Sequence, residues 1–228
     1  MIDNARRLEY LRALGVDVWV RRGAETNAGA QHAAPLQPAT LDWPTLEAAV
    51  KGCTQCVLHR TRTQAVFGAG NKQATWMIVG DAPGADEDAT GEPFAGRAGQ
   101  LLNAMLKAIG LQREQVFVVN VMKCRPPQDR ASTRDEAACC KPYLQRQIEL
   151  VNPKFILCVG PIAAQHLLNT DTPIDKLRGQ VHRLGEAQRP VVVTYHPAYL
   201  LRSPGEKRRA WDDLVLAMAT EKALATRP

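Results

Sequence analysis

Six cysteines are the first residues in this chain whose type and spacing could do chemistry. Cys53 and Cys56 form a C-x-x-C pair, a spacing that serves a zinc half-site or a redox pair. A redox pair normally opens a helix beside a strand, and this pair lies outside the sheet segments. Cys124 follows an apolar run, and Cys140 comes one short loop and a helical segment later. Two separated pairs of thiolates can close a tetrahedral zinc site or hold a cubane iron–sulfur cluster, and spacing leaves both open. Cys158, inside an apolar strand, reads as a small core residue. Cys139 and Cys140 project about 100° apart on one helix, so both cannot easily ligate. Spacing does not choose between them.

A second group of reactive residues follows the apolar run Trp76-Met-Ile-Val. The segment Gly80-Asp81-Ala82-Pro83-Gly84 leads into Asp86, Glu87 and Asp88. Beyond them lies Phe94, bracketed by Pro93 and Gly96. Alone, this would be a solvated acidic loop before a helix. Two more strand ends carry functional side chains, Asn120 on one and His196, just before Pro197, on another. The histidines at 32, 59, 166 and 182 lack comparable settings and read as structural.

The elements that must position these groups alternate. Residues 76–79 predict a strand of a parallel sheet covered on both faces, and about 97–110 a helix. Residues 115–124 predict a second strand, broken off by Arg125-Pro126-Pro127. A helix follows, capped by Ser132 or Thr133, with Glu136 placed for a capping box from Thr133. Residues 154–160 and 189–195 predict two more strands, with a helix from Pro161 between them and a last helix over roughly 206–223. Parallel strands joined by right-handed crossovers follow from that order. In such sheets the loops leaving the carboxyl ends of the strands hold ligands. Upstream, Leu41-Asp42-Trp43-Pro44 opens a helix running into Cys53, with Asp42 or Thr40 as N-cap. Residues 6–14 suit a short helix, 16–20 an extended segment, and 21–40, rich in Gly, Ala, Gln and Pro, a mobile linker. The expected division is 1–40 as an N-terminal extension with flexible linker and 41–228 as the functional domain.

Composition sets the outer limits. The 228 residues suffice for one α/β domain with an appendage. No apolar run nears the ~20 residues that span a bilayer, and the N-terminus lacks a secretory core. The expectation is therefore a cytoplasmic protein with no membrane association. Six cysteines in that setting point to metal binding or catalysis rather than disulfides. Lys+Arg 29 against Asp+Glu 23 gives a formal charge of +6, which favours polyanionic partners.

Four motifs, in order over about residues 45–220, resemble the family 4 uracil-DNA glycosylases. They are Gly80-Asp81-Ala82-Pro83-Gly84, Gly91-Glu-Pro-Phe94-Ala-Gly96-Arg97-Ala-Gly99-Gln-Leu-Leu102, Asn120-Val-Met-Lys-Cys124-Arg-Pro-Pro127 and His196-Pro-Ala-Tyr-Leu-Leu-Arg202. The resemblance implies a three-layer α/β/α sandwich with a four-stranded parallel sheet. It implies a [4Fe–4S] cluster on Cys53, Cys56, Cys124 and Cys140, the last chosen because family members place that ligand just before a Pro-aromatic pair, here Pro142-Tyr143. It implies a monomeric, monofunctional enzyme acting on uracil-containing DNA, single- or double-stranded, and leaving an abasic site. Asp81 and His196 are then the catalytic residues, and Ala82, Glu87, Phe94, Asn120 and Asp129 bind the base.

The side chains suit that chemistry. Uracil must leave the duplex to be reached, and Phe94 offers a flat face for it to stack on. The Asn120 side chain can accept from uracil N3–H and donate to O4, a pattern cytosine reverses at both atoms. His196 can donate to O2 as negative charge develops there, and Asp81 can stabilise the sugar cation and orient water. The resemblance also implies that Glu87, which matches a family carboxylate beside the pocket, helps bar thymine's methyl. After His196, Tyr199, Leu200 and Leu201 could wedge into the base stack, with Arg202, Lys207, Arg208 and Arg209 on phosphates. The chain departs from the family at Asp81, where many members carry Glu, and at Gln128-Asp129, where many carry Gly-Asn. It also lacks the basic, His-bearing insertion of a DNA-trapping relative. Two rival readings are a catalytically impaired iron–sulfur DNA-binding module and a zinc-stabilised nucleotide-binding protein.

Overall fold

A computed structural model describes residues 38–225. The expected helix at 6–14, the extended segment at 16–20, His32 and the linker up to residue 37 lie outside the described residues. The order of elements begins with α1 (Trp43–Lys51), β1 (Ala69–Gly70), β2 (Trp76–Gly80), α2 (Ala85–Thr90), α3 (Arg97–Ala108) and β3 (Phe117–Asn120). It continues with α4 (Arg134–Val151), β4 (Phe155–Val159), α5 (Pro161–Leu168), α6 (Ile174–Leu177), β5 (Val181–Leu184) and β6 (Arg189–Thr194). It closes with α7 (Pro197–Arg202) and α8 (Lys207–Ala225). No helix among the described residues is long and apolar enough to cross a membrane.

The sheet has six strands in the order β1-β3-β2-β4-β6-β5. Its four central strands are parallel, with Gly80 beside Asn120, Val79 beside Cys158 and Cys158 beside Val193. The two edge strands are antiparallel additions that correct the four-stranded expectation. The strand expected over 115–124 also stops early, at Asn120.

Strand residues alternate between two cores. Met77 and Val79 face Ala137, Leu144 and Ile148 of α4 and Ala163 and Ala164 of α5. Trp76 and Ile78 face Leu102 and Leu106 of α3, Leu200 of α7 and Leu214 of α8. Every residue of β2, β3 and β4 is buried, because each face is covered; such a Val, Ile or Phe contributes roughly 1.5–3 kcal/mol. The resulting fold is mixed α/β, with helices against both faces.

Local caps start the helices where the sequence predicts them. Asp42 accepts from the Thr45 amide at 3.1 Å ahead of α1. Thr133 and Glu136 form the reciprocal capping box of α4, and Glu136 also holds Arg130 through both carboxylate oxygens. A third small core of Leu46, Val50, Phe67 and Tyr143 clamps α1 against α4. It holds the segment carrying Cys53 beside the helix carrying Cys140.

One buried ion pair ties α8 to Arg178, in the turn between α6 and β5. Asp213, with its side chain 1% exposed, accepts from Arg178 Nε at 3.0 Å and from the Gly179 amide at 3.2 Å. The Arg178 guanidinium lies over the Tyr195 ring, 4.8 Å from its centroid. Replacing Asp213 by Ala leaves a buried guanidinium uncompensated. The expected loss in a urea unfolding titration is about 3–5 kcal/mol.

Candidate active site

The four parallel strands all deliver their carboxyl ends to one cleft. Asp81 follows β2, Asn120 ends β3, Gly160 follows β4 and His196 lies two residues past β6. The cleft, of about 350 Å³, is lined by Asp81, Ala82, Glu87, Phe94, Asn120, Asp129, His196 and Arg202, among others. Eight of the expected site residues, scattered over 122 positions from 81 to 202, therefore meet in one place.

The floor of the cleft depends on Gly80. A Cβ there would lie 2.4 Å from Asn120 Oδ1 and 2.5 Å from Phe94 Cζ, so only glycine lets these side chains close over the strand. Asn120 is 2% exposed, and its Oδ1 is a buried acceptor with no partner in the protein. Buried polar groups are ordinarily satisfied, so this oxygen awaits a donor from a ligand. Phe94 has a left-handed backbone, φ 57°, which costs a non-glycine residue about 1–3 kcal/mol. Its ring stacks against the His196 imidazole with centroids 5.5 Å apart and planes 26° from parallel. Arg113 braces the strained loop by donating to the Pro93 carbonyl at 2.7 Å.

The two ionisable groups are pushed in opposite directions. Asp81 Oδ1 accepts from the Ala163 amide at 2.6 Å, at the first turn of α5. Gly160, at φ 114°, makes room: a Cβ on it would reach within 2.5 Å of both Asp81 oxygens. Enclosure raises the Asp81 carboxyl to about 7, although the amides of Ala163 and Ile162 pull it down. Burial, with Arg202 adding to it, lowers His196 to about 4, so the imidazole is neutral at physiological pH. Its Nδ1 accepts from the Ala198 amide at 3.1 Å. In a neutral ring the proton then belongs to Nε2, which becomes the donor.

Other expected residues behave differently. Glu87 spends one oxygen on the Gly84 amide at 2.9 Å while lining the cleft. The segment 85–90, read as loop, is the short helix α2, with carboxylates in its first turn where the helix dipole favours them. Asp129 pairs with Arg125 at 2.7 and 3.2 Å. Asp129 and Gln128 both have left-handed φ, 53° and 55°, a conformation easier for the Gly-Asn of many relatives. Leu200 corrects the wedge expectation. It is 1% exposed and packs in the core between α7 and the sheet, so it cannot enter a base stack. Tyr199, 37% exposed, and the partly exposed Leu201 remain at the surface.

The cysteines gather apart from the cleft. All six thiols are free. Cys124 and Cys140 are buried, while Cys53 and Cys56 are partly exposed. The charge of Cys124 is felt by Cys140, and those of Cys53 and Cys56 by Cys124, so the four share one neighbourhood. Cys139, partly exposed, borders the same group: its Sγ donates to the carbonyl of Gln55, inside the C-x-x-C pair, at 3.7 Å, and it too feels the charges of Cys56 and Cys53. Arg62 Nη1 donates to Cys124 Sγ at 2.9 Å. Among the described residues, no three His, Cys, Asp or Glu side chains converge closely enough to hold a single metal ion. Sequence reasoning missed Arg62 and Lys123; for Lys123, inside the Asn120–Pro127 motif, a lysine within the run Val121-Met-Lys-Cys was the available signal.

Residues 67–215 match the family model described as the uracil DNA glycosylase superfamily. The chain is 45% identical over 162 residues to a type-4 uracil-DNA glycosylase of Archaeoglobus fulgidus, covering 68% of this chain and 81% of the relative. The type-4 uracil-DNA glycosylase of Thermotoga maritima is 43% identical over 70% of this chain and 83% of its own. That of Pyrobaculum aerophilum is 39% identical over 77% and 93%.

The raised Asp81 pKa has a consequence for stability. The folded protein holds this proton more tightly than the unfolded chain, whose carboxyl titrates near 3.8. Stability is therefore lost as pH climbs from about 4 to about 7, then levels off. Asp81→Asn cannot ionise and keeps an oxygen for the Ala163 amide. Thermal unfolding is expected to show that variant above wild type by at least ~3 °C at pH 8, at roughly 2–4 °C per kcal/mol, with the gap closing towards pH 4.

Proposed function

The chain belongs to the uracil-DNA glycosylase superfamily, in its type-4 branch, and from that membership we propose how its cleft works. The protein is a hydrolase that removes uracil from DNA as a repair step, leaving an abasic site. The observation that carries the residue assignment is the unpartnered, buried Asn120 Oδ1 facing a cleft bounded by Asp81 and His196.

The uracil nucleotide leaves the base stack and enters the cleft. Phe94 takes the face of the ring. Asn120 Oδ1 accepts from uracil N3–H, which satisfies the orphaned acceptor. Cytosine has no proton at N3 and would leave that oxygen unpaired at a cost of about 1–3 kcal/mol. Glu87, anchored on the Gly84 amide, stands where a thymine methyl would intrude, and Ala82 and Asp129 complete the rim.

Breaking the N-glycosidic bond places negative charge on uracil O2 and positive charge on the sugar. The neutral His196 ring donates from Nε2–H to O2, a bond that strengthens as the charge grows. Asp81, ionised above its raised pKa, faces the sugar cation and orients the water that attacks it. Arg202, at the rim of the cleft, and Lys207 and Arg208, exposed at the start of α8, hold phosphates. Tyr199 and Leu201 take the wedge role that Leu200 cannot. The protein acts as a monomer on single- or double-stranded DNA.

Cys53, Cys56, Cys124 and Cys140 are the residues that would hold a [4Fe–4S] cluster. Their sulfurs share one neighbourhood but do not converge as the ligands of one ion must. The type-4 family named for the relatives is consistent with the cluster and favours it over the zinc alternative. Such a group supplies a four-point tie among α1, the segment after β3 and α4, with a redox couple tuned by neighbouring charge. The reading as a catalytically impaired module is not favoured, since the relatives are named as glycosylases and Asp81 opens onto the same cleft as His196.

The test is incubation of the purified protein with a uracil-containing oligonucleotide followed by alkali. Wild type should render the strand alkali-labile at the uracil. The rate should fall on the acid side with an apparent pKa near 7, because Asp81 must be ionised, while His196 stays neutral down to about 4. A flat profile between pH 5 and 8 would remove Asp81 from the reaction. In Asn120→Asp, a carboxylate oxygen replaces the amide donor and can accept from the cytosine 4-amino group. Its preference for uracil over cytosine should shrink at least ~10-fold, one hydrogen bond's worth; an unchanged preference would refute the contact.

A further inference from the structure

Phe94 takes the face of the base, but its conformation is imposed by residues outside its own loop. A φ of 57° lies in the left-handed region, where a bulky residue is strained unless its surroundings fix the geometry. The peptide units on the two sides of its Cα are each held. The carbonyl of Pro93 belongs to the peptide that ends at the Phe94 nitrogen, and Arg113 Nη2 donates to it at 2.7 Å. The carbonyl of Phe94 itself lies against Gly99, in the first turn of α3, where a Cβ would come within 1.6 Å of the oxygen. Gly99 admits that carbonyl by having no side chain, and Arg113 supplies a directed bond on the other side.

Arg113 is a poor stabiliser of the fold. It is half-buried, in the single 3-10 turn Arg113–Gln115 that leads into β3. Its Nη1 is buried with no partner in the protein, and an unsatisfied buried donor works against folding. Burial also lowers its pKa, an effect that the carboxylates of Glu92 and Glu114 offset in part. Among the described residues its side chain makes one hydrogen bond, and that bond acts on the peptide of Phe94. The same turn opens the segment that ends in Asn120. Residues 113–120 thus support the edge of the base through Asn120 and its face through Arg113 and Phe94.

We propose that Arg113 is a positioning residue for uracil recognition: by holding the peptide between Pro93 and Phe94 it keeps the Phe94 ring in place as a preformed platform for the base. The inference rests on the glycosylase reading given above. A platform already in position requires no ordering of the loop when the base arrives. Without the bond, the loop is free to carry Phe94 into a relaxed backbone region, and the ring leaves its stacked position against His196.

The experiment compares kcat/KM on a uracil oligonucleotide for Arg113→Met, Arg113→Lys, Phe94→Leu and the double variant Phe94→Leu/Arg113→Met. Arg113→Met keeps an apolar stem and loses the donor; it should fall at least ~10-fold, the scale of one lost hydrogen bond. Arg113→Lys keeps a donor and should recover a large part of that. Phe94→Leu removes the platform, so adding Arg113→Met to it should lower the rate less than ~3-fold further. General damage to the fold would lower both backgrounds alike, so a full second loss in the double variant overturns the proposal. Wild-type kcat/KM in Arg113→Met overturns it as well. Should Arg113→Met not fold, Arg113→Gln, polar but too short to reach Pro93, takes its place in the same cycle. Unchanged uracil release in Phe94→Leu, or none in wild type, would instead defeat the underlying reading.

Discussion

The cleft is built around one carboxylate held in a place that favours its neutral form. Enclosure raises Asp81 to about 7, and the amides at the start of α5 limit the rise. That contact exists because residue 160 has no side chain and adopts a backbone conformation suited to glycine. The shorter carboxylate, where many relatives carry Glu, is accordingly held close against β2 and α5. A carboxylate kept in this way costs stability at neutral pH, the usual compromise between a working site and a relaxed fold.

The opposite treatment of His196 completes the arrangement. The same kind of enclosure that raises an acid lowers a base, so one environment produces a titrating carboxylate and a neutral imidazole. The Ala198 amide then selects which ring nitrogen carries the proton. Both effects follow from strand ends: Asp81 and His196 flank the parallel sheet's carboxyl edge, with Asn120 and Phe94 packed between them over Gly80. Asn120 and Cys124 lie within one stretch of five residues, and Lys123 between them donates to the Asn120 carbonyl.

Much of this was legible in the sequence. The four parallel strands are continuous apolar runs because both faces of the sheet are covered, and that is a local signal. The caps at Asp42 and Thr133 are likewise local, since a side chain three residues from its partner amide needs no tertiary help. The edge strands were not legible. Ala69–Gly70 has no apolar run at all, and Val181–Leu184 is only partly buried; both owe their existence to a neighbouring strand with unpaired backbone groups. The helix at 85–90 hid behind its carboxylates, which read as solvated loop but suit a first turn.

The motifs, through the resemblance they carry, picked out eight residues that line one cleft. They did not decide orientation. Leu200 and Tyr199 are adjacent and equally apolar in outline, yet one is core and the other surface, according to which face of α7 meets the sheet. Cys139 and Cys140 divide in the same way on α4. The protonation states of Asp81 and His196 belong wholly to the tertiary structure. Desolvation and long-range charge depend on what the folded chain brings within a few ångströms, and residues 80 positions apart along the chain carry no record of that distance.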